Sequence, residues 1–120
     1  MNQPPQEPEF FTVTLLTPEG EHRLRVGREQ HIWDAATAAG IRLPAMCQMG
    51  HCLTCAGKLE GGGEVDQSDS RQYFPQDRAA GYVLLCTGKP RSDLRIRTHQ
   101  QQAMRRHRLE LGLPAPYAGV

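Results

Sequence analysis

No apolar run in these 120 residues approaches the ~18 that would suggest a membrane-spanning helix, so a bilayer-embedded chain is not expected. No basic run is dense enough to imply nucleic-acid binding. Residues 1–98 hold 11 Lys/Arg against 12 Asp/Glu, and residues 99–120 hold Arg105, Arg106 and Arg108 against Glu110. The tail is therefore basic by two charges and the rest nearly neutral. Met1 to Pro8 is polar and proline-rich. It lacks the basic start and apolar stretch of a signal peptide and the Arg/Ser-rich character of a transit peptide, which points to a cytoplasmic protein. Gly61-Gly62-Gly63 has no following Lys-Ser/Thr, so it reads as a turn and not a phosphate cradle. Cysteine stops at four.

What is present gives one domain on length alone. Phe10 to Thr17 ("FFTVTLLT") is rich in strand formers, Pro18-Glu19-Gly20 is a turn signal, and His22 to Val26 alternates, predicting a β-hairpin. Ile32, Ala35, Ala36 and Ala39 recur at helical spacing, with Gly40 placed to end the helix. Trp33, the only tryptophan, is expected in the core. Pro44 to Cys55 shows no periodicity and reads as a loop, and Lys58-Leu59 finish a short strand. Ser68 to Ala80 carries a short helical piece. Tyr82 to Cys86 ("YVLLC") is a buried strand ended by Lys89-Pro90, and Leu94 to Thr98 ("LRIRT") is a half-exposed one. Gln100 to Leu111 is built from helix formers and stops at Gly112 and Pro114. Ala103, Met104, His107 and Leu111 are expected to share its packed face, with the arginines beside it. Periodicity alone gives an α+β fold with a mixed sheet.

The four cysteines, Cys47, Cys52, Cys55 and Cys86, are spaced C-x4-C-x2-C with a lone fourth about thirty residues on. That is the plant-type [2Fe–2S] pattern, and thiolate is the soft anionic donor such iron needs. Two disulfides would need an oxidising destination, which the N-terminus argues against. Structural zinc usually draws on two tight cysteine pairs, and here there is a triplet plus a singleton. The C-x2-C-x2-C-x3-C-P run of bacterial two-cluster ferredoxins is absent, as are the paired His and Cys of a Rieske centre. No cysteine is left over as a catalytic thiol.

The stretches "LPAMCQMGHCLTCAGKL" and "GYVLLCTGKPRSDLRIRTH" resemble plant- and cyanobacterial-type ferredoxins, over most of residues 10–99. The resemblance implies a β-grasp (ubiquitin-like roll) fold: a mixed sheet with one main helix and a cluster-binding loop, here followed by a C-terminal helical extension. It divides the chain into an N-terminal segment 1–8, a ferredoxin-type domain 9–99 and an extension 100–120, helical to about 111. It implies one [2Fe–2S] cluster per chain, with Cys47 and Cys52 on one iron and Cys55 and Cys86 on the other. Gly50, His51 and Thr54 would flank it, with Thr87 a further neighbour, and Gly50, Ala56 and Gly57 would be small because the loop is crowded. The implied role is a one-electron carrier, not an enzyme, which docks transiently with redox partner proteins as a monomer. No nucleic acid or membrane insertion is implied.

Family loops commonly read C-R-x-G-A-C-S-x-C. Here Gln48 replaces the Arg, His51 the small residue and Leu53 the Ser, which removes a possible hydrogen bond to a cluster sulfur. His51 sets a titratable ring beside a ligand. Gln72 stands where the family carries an aromatic, although Tyr73 and Phe74 follow, and Gln101 and Gln102 stand where it carries acidic residues. Partners of this class find each other largely by charge. The expectation is a specialised carrier and not the bulk photosynthetic one. The rival reading, of a different class, is a redox- or iron-responsive regulatory module.

Overall fold

A computed structural model of the chain describes residues 10–44 and 53–115. Strands β1 (Phe10–Thr17) and β2 (Gly20–Gly27) pair antiparallel along their whole length around Pro18-Glu19. The Thr17 hydroxyl donates to Gly20 O and accepts from Glu19 N–H, which closes the turn. Helix α1 (Ile32–Ala38) buries Ile32, Ala35 and Ala36. It ends in a Schellman arrangement: Gly40 N–H donates to Thr37 O, Ile41 N–H to Ala36 O, and Gly40 takes φ +80°. These elements follow the periodicity of the sequence.

Five strands form the main sheet in the order β2-β1-β7-β3-β5, with β3 at Ala56–Leu59, β5 at Tyr82–Leu84 and β7 at Leu94–Arg97. β1 and β7 run parallel and the other neighbours antiparallel, the mixed sheet of a β-grasp roll. Val13, Leu15, Val26, Ile32, Ala36 and Ile96 are fully buried in the core. Trp33 packs against that core, only partly buried, with its indole N–H donating to Leu43 O. Gly57 sits where β3 meets β7: a Cβ there would lie 2.7 Å from Ile96 Cγ2. The crowding that excludes a side chain comes from the sheet itself.

The Tyr82–Cys86 strand is shorter than expected. It stops at Leu84 because Gly88 N–H turns back to Leu84 O and Leu85 N–H leaves for Cys55 O. Lys89-Pro90 does not simply end it; these two residues form β6, which pairs with β4 (Val65–Asp66) in a separate ribbon. A two-stranded edge tolerates the proline that a sheet interior would reject. Within the segment Ser68 to Ala80, only Pro75–Ala79 is helical (α2). Proline opens it, and the Asp77 carboxylate accepts the Phe74 N–H.

Helix α3 (Gln101–Glu110) is present at the C-terminus and lies against β3 and β5. Its packed face differs from the expected one. Met104 and Arg108 are fully buried, His107 is largely buried, and Leu111 is half exposed. Arg108 wins the interior because it meets a fully buried carboxylate, Asp77 of α2, at 2.8 Å and 3.3 Å. Its remaining N–H groups donate to Gln72 O and Pro114 O, and its guanidinium lies over the Phe74 ring. Leu111, just past the helix end, has nothing comparable to pack on.

Candidate functional site

Cys55 closes the turn before β3, and Cys86 lies in the turn after β5. The register Ala56↔Leu84 brings the two turns together, and Leu85 N–H donates to Cys55 O. The Sγ atoms stand 2.9 Å apart, and both residues are buried. A disulfide bond would need about 2.05 Å. Two buried, convergent sulfurs at the end of a sheet suit a soft metal centre. Cys47 and Cys52, with Gln48, Gly50 and His51, lie outside the described residues.

The backbone around Cys86 is held from several sides. The first amides of α1 have no partners within the helix, and Ile32 N–H donates to Gly88 O and Trp33 N–H to Leu85 O, on either side of the cysteine. Gln67, buried, accepts from Leu84 N–H and donates to Leu84 O and the Ser70 hydroxyl. Ser70 shares a 2.7 Å hydrogen bond with the Thr87 hydroxyl, next to Cys86. Thr54 and Thr87, next to Cys55 and Cys86 in the chain, are both buried. Leu53, at the family's serine position, is fully buried and joins the core.

An ionic rim follows Cys86 along β6. Lys89 meets Asp69 at 3.2 Å and Glu29 at 3.3 Å, and His31 Nε2 lies 2.8 Å from Asp69. The hydrogen bonds from His31 and then Lys89 hold the Asp69 carboxyl below its ordinary value. Asp66 is lowered by its hydrogen bonds with Ser68, with Arg91 at 2.7 Å adding to this. Sequence reasoning did not find Gln67, Ser70, Asp69 or the Asp77–Arg108 pair, because each acts through contacts far away along the chain.

Tyr73 gives the site region a dependence on alkaline pH. Its hydroxyl donates to Tyr82 O, and burial pushes its pKa up from 10.0 to about 12. The neutral form is favoured by folding, so the contribution is full below pH 10. It falls as the unfolded chain ionises first, and is gone above about 12. We expect the urea midpoint of the intact protein to decline between these pH values, and that of Tyr73→Phe to decline less. Identical slopes would show that Tyr73 does not couple to folding.

The β-grasp sheet presents two facing, buried thiols at one end, and the comparisons with known proteins identify it as an iron–sulfur electron-carrier domain. The family model described as a 2Fe-2S iron-sulfur cluster binding domain matches residues 16–91. The chain is 44% identical over 86 residues to Ferredoxin-2 of a Synechococcus species, covering 72% of this chain and 79% of that one. It is 40% identical over 91 residues to Ferredoxin-6, chloroplastic, of Zea mays, covering 75% of this chain but 58% of that one. Among solved structures, Pectocin M2 superposes with a TM-score of 0.67 at 27% identity, covering 85% of this chain and 40% of that one. The chain belongs to the plant- and cyanobacterial-type [2Fe–2S] ferredoxins. It takes one [2Fe–2S] cluster and, like these relatives, is an electron carrier and not an enzyme. Among the described residues no helix is long and apolar enough to cross a membrane.

Proposed function

We propose that Cys47, Cys52, Cys55 and Cys86 hold the cluster, and that the protein is a specialised one-electron carrier between a low-potential donor and an oxidoreductase. The observation that carries this reading is the pair of buried sulfurs, Cys55 and Cys86, 2.9 Å apart at the end of β3 and β5. When bound, the cluster supplies a one-electron couple, for which plant-type centres lie at about −400 mV. The chain's own residues bury the sulfurs, hold the two turns in register and keep water from the Cys55–Cys86 side.

The specialised role is supported by charge. Gln101 and Gln102 are neutral where bulk carriers are acidic, and α3 adds Arg105 and Arg106. Docking to a basic reductase should be slow on such a surface. The working unit is residues 9–99 with the extension 100–120, whose helix α3 is held to it through Arg108. It acts as a monomer, in the cytoplasm, by transient contacts with its partners.

Redox titration of anaerobically purified protein, followed by electron paramagnetic resonance, tests the reading. The expected result is two irons and two acid-labile sulfides per chain with a reversible one-electron wave. A chain that stays free of iron after anaerobic reconstitution would end it. Fast NADP reduction through a standard ferredoxin–NADP reductase at ordinary ionic strength would remove the specialised role alone.

A further inference from the structure

The face of the sheet turned away from α1 is basic over the half that α3 leaves open. Residues directly opposite in a ladder share a face. Arg23 and Arg95 both flank Thr14, Arg25 lies opposite Thr12, and Arg97 lies between Leu16 and Lys58. Five cations therefore project from one surface, and all five are exposed. Lys58 and Arg97 are set directly across β3 and β7, an arrangement of like charges that weakens a sheet. Breaches of local preference of this kind concentrate where a surface has work other than folding.

The carboxylates on this face are already engaged. Glu21 meets Arg95 at 3.2 Å, Glu60 meets Arg97 at 2.7 Å and Arg95 at 3.6 Å, and Asp93 accepts from Thr12 N–H. Among the described residues no carboxylate forms an ion pair with Arg23 or Arg25; Arg25 lies over the Phe10 ring. Between Arg23 and Arg95 lies a shallow depression of about 300 Å³, lined also by Thr12, Thr14, Glu60 and Asp93. Arg23 and Arg25 lie on β2, the sheet edge opposite β5, and Cys86 follows β5. A segment seated on Arg23 and Arg25 is separated by β1 and β7 from β3, which begins after Cys55, whereas Lys58 and Arg97 lie on the β3 side of the face.

We propose that this face, Arg23, Arg25, Lys58, Arg95 and Arg97, is a second docking surface, which takes an acidic segment of a partner protein. Carboxylates of the partner pair with Arg23 and Arg25, while Thr12, on β1, lies beside Arg25. The interspersed Glu21, Glu60 and Asp93 favour a discrete pattern of carboxylates over the continuous phosphates of a nucleic acid or an anionic bilayer, which they would repel. The carrier can thus be held by one protein while its cluster end serves another.

The probe is a synthetic peptide of about 20 residues, with glutamates spaced by neutral Ser and Gly, added to the ¹⁵N-labelled, cluster-loaded full chain at low salt. The expected result is saturable shifts of the Thr12, Thr14, Arg23, Arg25 and Arg95 amides. Arg23→Glu with Arg25→Glu should raise the dissociation constant at least tenfold while cluster absorbance and the thermal midpoint stay put. Should that pair destabilise the fold, Arg23→Gln with Arg25→Gln should still weaken binding severalfold. Shifts confined to α3, no saturable shifts, or tighter binding of duplex DNA or of vesicles containing 30% phosphatidylserine would overturn the proposal.

Discussion

Replacing Cys86 by alanine in the full chain is expected to abolish stable cluster binding, from two irons per chain to almost none. The backbone would survive the change. The Ala56↔Leu84 register, Leu85 N–H on Cys55 O and Trp33 N–H on Leu85 O all use main-chain atoms that alanine keeps. What disappears is one of two sulfurs that the fold brings within 2.9 Å, and alanine offers no donor in its place. Cys86→Ser restores an oxygen, but a hydroxyl is a harder and less acidic donor than a thiol, so partial and labile loading is the expected result. Iron and acid-labile sulfide analysis, with far-ultraviolet circular dichroism as the control for folding, separates loss of the site from loss of the fold. Retention of two irons and two sulfides by Cys86→Ala would show that another residue serves as the ligand.

Much of this architecture was legible because its determinants are local. The β1–β2 hairpin follows from alternation around Pro18-Glu19-Gly20, and α1 from Ile32, Ala35 and Ala36 with Gly40 beyond the end. The cysteine spacing, with the stretches that flank it, selected the cluster type. Short elements were harder. β4 and β6 are two residues each, Val65–Asp66 and Lys89–Pro90, and a pair so brief has no period to read. The end of β5 is set by Gly88 N–H on Leu84 O and by Cys55 O, which no property of "YVLLC" announces.

Around the site, the four cysteines were legible as candidate ligands, and the contacts that support Cys55 and Cys86 were hidden. Gln67 and Ser70 hold Leu84 and Thr87 through side-chain hydrogen bonds across 17 residues of chain. Polar residues in a loop carry no mark of such a role. Helix α3 shows the same limit from the other side. Its hydrophobic pattern is weak and points to Leu111, yet the interior position goes to a charged residue, since burial of an arginine depends on a carboxylate found 31 positions earlier.

Arg108→Ala should therefore be the most destabilising single change outside the ligands, at about 3–5 kcal/mol, the usual cost of leaving a buried charge without its partner. In a domain whose whole stability is on the order of 5–15 kcal/mol, that is a large share. Asp77 would keep His107, 3.1 Å from Oδ1, and the Phe74 N–H, while Gln72 O and Pro114 O would lose their donor. Arg108→Lys should recover part of the loss, because one ammonium cannot match the paired contacts of the guanidinium to both Asp77 oxygens. The double variant Arg108→Met with Asp77→Leu removes both charges together and should lie much closer to the unaltered protein. Urea unfolding of the loaded chains measures all three. A loss under about 1 kcal/mol in Arg108→Ala would mean that the pair is dispensable and that α3 is held by Met104 and its apolar neighbours alone.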